Sequence, residues 1–217
     1  MTHWCKVERD FFARPTLEVA RRMLGLYLVH ETPAGRRAGR VVETEAYVGP
    51  EDRASHAARG LTQRTRVMFG PPGHAYIYLV YGLHCCFNVV TEAAGYPAAV
   101  LVRALEPAEG LPPGTSTRGP GLLCRALGID RRLNGADLVT GALYLEDRGD
   151  VVLPADIAAA PRIGVSYAGA WADRPWRFYV RSSGGGSGRG SAGRVSGAAG
   201  SSLAGAVAGS SGAPSAR

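Results

Sequence analysis

The chain has 217 residues, 46% hydrophobic and 20% charged, which is enough for one well-buried core and too few for two large independent domains. No run of 18 apolar residues occurs, and Met1 to Glu8 is polar and charged rather than built like a secretory leader, so the reading is a soluble, cytoplasmic protein with no membrane span. The net charge of +7 suits nucleic acid or an anionic membrane surface, but residues 1–181 hold only 22 basic against 18 acidic groups, so the expected folded part is mildly basic.

In chain order, Thr16 is placed to cap a helix whose apolar residues Leu17, Ala20 and Leu24 recur at helical spacing, with Gly25 as its stop. Leu26 to His30 reads as a strand, Pro33 to Gly35 as a turn, and Gly39 to Val48 as a second strand. Period-two alternation in that strand puts Val41, Glu43, Glu45 and Tyr47 on one face and Val42, Thr44 and Ala46 on the other. A solvated face is the commoner explanation of such alternating charge.

YIYLVY (Tyr76 to Tyr81), Gly82-Leu83-His84 and CCFNVV (Cys85 to Val90) read as a β-hairpin with Tyr81, Gly82 and Leu83 at its tip. Ala98 to Leu105 reads as a buried strand in which Arg103 needs a carboxylate partner, Glu45 or Glu43, to offset its desolvation. Gly121 to Leu127 reads as a helix ended by Gly128, and the aromatic-rich segment Arg162 to Val180 as structural. Strands and short helices without βαβ alternation predict a single α+β domain around a mainly antiparallel, curved sheet flanked by helices. From Ser182 on, 29 of 36 residues are Gly, Ser or Ala, so the domain is expected to span residues 1–181 and the tail, residues 182–217, to be disordered.

Cys5, Cys85, Cys86 and Cys124 show no CxxC spacing and His3, His30, His56, His74 and His84 are scattered, so neither a metal nor a cofactor is expected. Lys6 is the only lysine, which limits any mechanism that needs a side-chain amine.

Three long segments occur in a telling order: VVETEAYVGPEDRASHAARG (Val41 to Gly60), MFGPPGHAYIYLVYGLHCCFNVVT (Met68 to Thr91) and LVRALEP (Leu101 to Pro107). Together they resemble the alkyladenine (3-methyladenine) DNA glycosylase family. Weaker agreement continues through GPGLLCRALGID, NGADL, RIGVSYAGAW and PWRFYV. The resemblance implies base-excision repair: an alkylated or deaminated purine of the 3-methyladenine, 7-methylguanine and hypoxanthine class is flipped from duplex DNA, and an activated water hydrolyses its N-glycosidic bond, leaving an abasic site. It implies a monomer acting on double-stranded DNA, associated with a bacterial nucleoid, with the hairpin protruding into the duplex.

By that resemblance Glu45 is the general base and Arg103 helps hold the water, with the backbone carbonyl of Ile163 as the third water ligand. Tyr47 and Tyr78 sandwich the flipped base, His56 closes the pocket, and Asn88 disfavours normal guanine. Tyr81 is the intercalating wedge, supported by Leu83. Pairing with Arg103 is expected to lower the pKa of Glu45. The sequence departs from the family pattern at Leu122, Arg125 and Thr65, where lysine, glutamine and asparagine are common, and in the tail. Two rival readings remain: a lesion-binding module without hydrolysis, and a metal-dependent phosphoesterase using Glu43, Glu45 and Asp52.

Overall fold

A computed structural model describes residues 4–181; the expected disordered tail lies outside the described residues. Its elements are β1 (Cys5–Lys6), α1 (Arg9–Phe12), α2 (Thr16–Arg22), β2 (Tyr27–Thr32), β3 (Gly35–Tyr47), β4 (Ala75–Val80), β5 (His84–Val90), β6 (Ala99–Glu109), α3 (Pro120–Leu127), β7 (Leu143–Asp147), β8 (Ile157–Ala160) and β9 (Arg177–Val180). The strands form one curled antiparallel sheet in the order β1-β7-β2-β3-β6-β5-β4. The 13-residue β3 organises it: β6 pairs along one edge, while β2 takes Gly35 to Arg40 of the other and β9 takes Glu43 to Glu45. No described helix is long and apolar enough to cross a membrane.

The main core lies on one face of the sheet. Phe12 and Val19 from the first two helices, Met23 at the end of α2, and Leu123 and Leu127 from α3 pack against Leu28, Ala46, Phe87, Val89, Val100 and Val102. Each buried Leu or Phe side chain contributes about 1.5–3 kcal/mol by leaving water. The helix α3 stops where foreseen, because Gly128 takes the left-handed φ of 70° that a side chain disfavours.

Two local expectations are corrected. Thr16 lies within the first turn of α2 instead of capping it; Pro15 holds the cap position, and the Glu92 carboxylate accepts from the Thr16 N–H at 3.0 Å, supplying the acceptor from across the fold. Val41 does not share a face with Glu43. A bulge between Val41 and Thr44 shifts the register against β6 and puts Val41 into the core with Ala46. From Glu43 onward the foreseen alternation is restored, with the Thr44 hydroxyl donating to the Ala20 carbonyl of α2 at 2.8 Å.

Candidate active site

The face of the sheet away from that core carries one row of paired residues: Glu45 on β3, Leu101 on β6, Asn88 on β5 and Tyr76 on β4. Residues two positions along the same strands project to the same side, which adds Tyr47, Arg103 and Tyr78. The segment between β3 and β4 folds over this face, where Ala57 and Met68 pack with Tyr76, Val90 and Ala99. Between them is a cavity of about 650 Å³, lined by Tyr47, His56, Tyr78, Asn88, Arg103 and Ile163 among others, a volume ordinary for a small-molecule pocket.

Glu45 is completely buried, one layer behind the cavity wall. One carboxylate oxygen accepts the Ile163 N–H at 2.8 Å; the other accepts the Tyr47 hydroxyl at 2.8 Å and lies 3.3 Å from the Arg103 guanidinium. Arg103 also lies 3.3 Å from Glu43, which Arg177 holds at 3.0 Å, so the expected partner of the buried arginine is both glutamates. Burial raises the pKa of Glu45 above the ordinary carboxylate value and outweighs the lowering by Arg103, Ile163 and Tyr47. The lowered pKa expected from the ion pair is therefore corrected: desolvation of the carboxylate is the larger effect.

A buried ion pair fixes the second wall. Arg162 grips Asp52 through both terminal nitrogens, at 2.5 and 2.9 Å, and donates to the carbonyls of Ala46 and Trp171. Asp52 also accepts the Val48 and Ala54 N–H groups, so its carboxylate is engaged as a brace, and the Asp52-based metal site loses its ligand to this role. Removing one partner of such a pair typically costs about 3–5 kcal/mol. The brace ties the His56 loop to the Arg162-Ile163 turn, which is what aims the Ile163 N–H at Glu45.

His56 opens a 3-10 turn (His56–Arg59) after Ser55, whose hydroxyl accepts the Ala57 N–H. Its Nδ1 is 2.9 Å from the Tyr76 hydroxyl, and its ring meets Tyr78 edge-on at 4.5 Å. Burial, then Arg64 and Arg59, push its pKa down to about 4, so the imidazole is neutral at ordinary pH. Asn88 is buried, and its NH2 donates to the Tyr76 and Cys86 carbonyls, which locks it as a rigid wall.

Tyr81 and Leu83 sit at the tip of the β4–β5 hairpin, 91% and 78% exposed. Tyr81 lines the cavity mouth, whereas Leu83 faces a neighbouring apolar hollow against α3. Ile163 and Tyr167 add further exposed apolar surface at the same mouth. A large exposed aromatic ring at a cavity rim is the unusual observation here, because nothing in the fold needs it.

Residues 10–184 match the family profile described as methylpurine-DNA glycosylase. The chain belongs to this family. A protein of Myxococcus xanthus, provisionally named 3-methyladenine DNA glycosylase, is 60% identical over 174 residues, covering 80% of this chain and 89% of its own. Relatives under the same provisional name in Methanocella arvoryzae and Legionella pneumophila (strain Corby) are 57% and 47% identical, with 81% and 82% of this chain and 92% and 96% of theirs covered. The protein is a DNA glycosylase of the methylpurine family, an enzyme that hydrolyses N-glycosyl bonds of alkylated purines in DNA.

In this methylpurine-DNA glycosylase Tyr47, His56, Tyr78, Tyr81, Asn88, Arg103 and Ile163 line one cavity, Glu45 lies behind its wall, and Leu83 faces the hollow beside it. The Asp52–Arg162 brace, Tyr76, Arg64 and Tyr167 were not foreseen. Tyr76 had a signal, since it precedes Tyr78 by two on the same strand face; the brace had none, because its partners are 110 residues apart. The departures from the family pattern lie away from Glu45: Thr65 is buried in a turn, where its hydroxyl donates to the Gly60 carbonyl at 2.9 Å, and Leu122 and Arg125 line the hollow beside the hairpin.

Proposed function

We propose that residues 1–181 form the working domain, and that it flips a damaged purine into the cavity, where water directed by Glu45 attacks C1′ of the deoxyribose. The observation that carries this reading is a buried carboxylate, ion-paired to Arg103 and bonded to the Ile163 peptide, directly behind an aromatic pocket. Tyr81 fills the gap in the stack and Leu83 supports it against the neighbouring base. Tyr47 and Tyr78 stack on the purine, their faces favouring the positive charge of a 3- or 7-alkylated base, and neutral His56 bonds to it without repelling that charge. Asn88, clamped by two hydrogen bonds, excludes the exocyclic amine of normal guanine. The attacking water is held by Arg103 and the backbone carbonyl of Ile163, beside the carboxylate to which the Tyr47 hydroxyl stays bonded.

Glu45 accepts the water proton as the C1′–O bond forms. The glycosidic electron pair leaves with the base, and the anionic carboxylate stabilises the cationic sugar. Lys6, the only lysine, sits on β1 at the end of the sheet opposite β4, with its ammonium 3.8 Å from the Tyr144 ring centre. That placement supports a hydrolytic enzyme that leaves an abasic site and does not cut the strand. The proposed setting is a monomer acting without metal on lesions of the 3-methyladenine, 7-methylguanine and hypoxanthine class, in the cytoplasm on nucleoid DNA.

The test is incubation with duplexes bearing one such lesion, in EDTA, scoring free base and alkali-labile sites. Wild type is expected to release base and Glu45→Gln to lose about 10²–10⁴-fold of that rate while keeping lesion binding. Binding without release by either protein would leave a lesion-binding module in place of a glycosylase.

A further inference from the structure

Beside the base cavity, along the free edge of β4, runs a second groove of about 460 Å³ that shares Arg64, Tyr78 and Leu79 with the region already described and adds Arg66, Arg131 and Asn134. We infer that this groove is a subsite for one phosphodiester of the DNA backbone, held by Arg66 and Arg131 and by the outward N–H of Leu79. The inference rests on the DNA-glycosylase reading of the neighbouring cavity and deepens it.

Three independent features of the groove point to an anion. First, no carboxylate lines it, and Arg64, Arg66 and Arg131 make no ion pair with any acid among the described residues, whereas Arg9, Arg36, Arg40 and Arg148 each do. Asp130, next to Arg131 in the chain, is already held by Arg132 at 2.7 Å. Second, β4 is the end strand of the sheet, so alternate residues direct their backbone groups outward. Ala75 and Ile77 show this parity: the Ala75 N–H donates to the Ala136 carbonyl and the Ile77 N–H to the Asn134 side chain at 2.8 Å. Leu79 has the same parity, and no strand covers it, so its N–H is directed into the groove. Third, Asn134 spends its side-chain oxygen on Ile77, which leaves its NH2 as a donor. Guanidinium forks, an amide NH2 and a strand-edge N–H form the donor set that fits phosphate oxygens.

The position gives the subsite a task. Arg64 forms its inner wall, 3.4 Å from Nε2 of His56 and 5.1 Å from the Tyr78 ring centre, so a phosphate bound at Arg66 and Arg131 lies next to the base pocket. A backbone held there would register the strand so that the flipped nucleotide enters between His56 and Tyr78.

The experiment measures binding to a lesion duplex against salt for wild type, Arg66→Ala, Arg131→Ala, Arg66→Lys and the adjacent control Arg132→Ala. It is combined with a series of duplexes carrying one uncharged methylphosphonate linkage each. One phosphate is worth about one unit in the slope of log K against log salt, so each alanine variant of the groove should remove part of that unit, the lysine variant should restore most of it, and the control should leave it unchanged. One or two linkages whose neutralisation weakens wild type should cost Arg66→Ala and Arg131→Ala less, because each variant keeps only one of the two arginines. Slopes indistinguishable from the control, or methylphosphonate losses that persist in full in both variants, overturn the subsite. If wild type shows the groove-dependent slope but releases no base, the glycosylase reading fails and the subsite stands; base release with unaltered slopes fails the subsite alone.

Discussion

Glu45 and His56 are displaced from their ordinary titration in opposite directions by the same cause, removal from water. Burial favours the uncharged form of each, which raises the carboxylic acid and lowers the imidazole to about 4. A general base must be ionised, so base release is expected to fall as pH drops through the raised value of Glu45, above the ordinary 4.5, while His56 stays neutral over that limb. The acid limb then reports Glu45. The Tyr47 hydroxyl favours the ionised carboxylate through its hydrogen bond, so Tyr47→Phe is expected to move the limb to higher pH. Single-turnover rates between pH 4.5 and 8 check this; a limb that stays put or moves to lower pH would show that Tyr47 does not bond the carboxylate in the working state.

The β4–β5 hairpin shows a local backbone cost that the fold itself does not require. Tyr81 takes a φ of 51° and Gly82 one of 71°, the positive pair of a tight hairpin turn, and the Leu83 N–H closes it on the Val80 carbonyl at 3.1 Å. Glycine suits both places, yet the first carries a tyrosine, at a cost of about 1 kcal/mol. Since the ring is almost wholly exposed, Tyr81→Gly should leave the melting temperature unchanged or slightly higher, yet lower the rate of base release about tenfold or more by removing the wedge. A variant that loses stability and activity together would show that the tyrosine serves the hairpin and not DNA. Such local features were legible in the sequence: the hairpin, the alternation from Glu43 to Tyr47, and the stop of α3 at Gly128 all follow from neighbouring residues. What was not legible depends on distant partners. The bulge that turns Val41 inward arises from register against β6, the Glu92 cap of α2 reaches across 76 residues, and the strands β7 and β8 are short segments with weak patterns. The residue set of the site came from motif resemblance, whereas the burial that sets the pKa of Glu45 is a property of the closed sheet.

Across the whole molecule, charge is divided by partnership. Arg36, Arg40 and Arg148 are held by acids, while Arg59, Arg64, Arg66 and Arg131, near the loop and strand that frame the cavity, are exposed and without a carboxylate partner among the described residues. That asymmetry lets a domain of small net charge present a cationic face to DNA. The chain beyond residue 184 contributes three more arginines and no acid, yet the family match ends there. The last strand, β9, already closes both β3 and β8, and the Arg181 N–H donates to the Asp156 carbonyl at 2.8 Å, so the sheet is completed within the described residues. Truncation after residue 184 should therefore leave the melting temperature and the single-turnover rate at saturating DNA unchanged, and lower the salt slope of DNA binding by no more than about 3, one unit for each arginine removed. A truncated protein that melts earlier, or that releases base more slowly at saturation, would show instead that the Gly/Ser/Ala-rich segment contributes to the site.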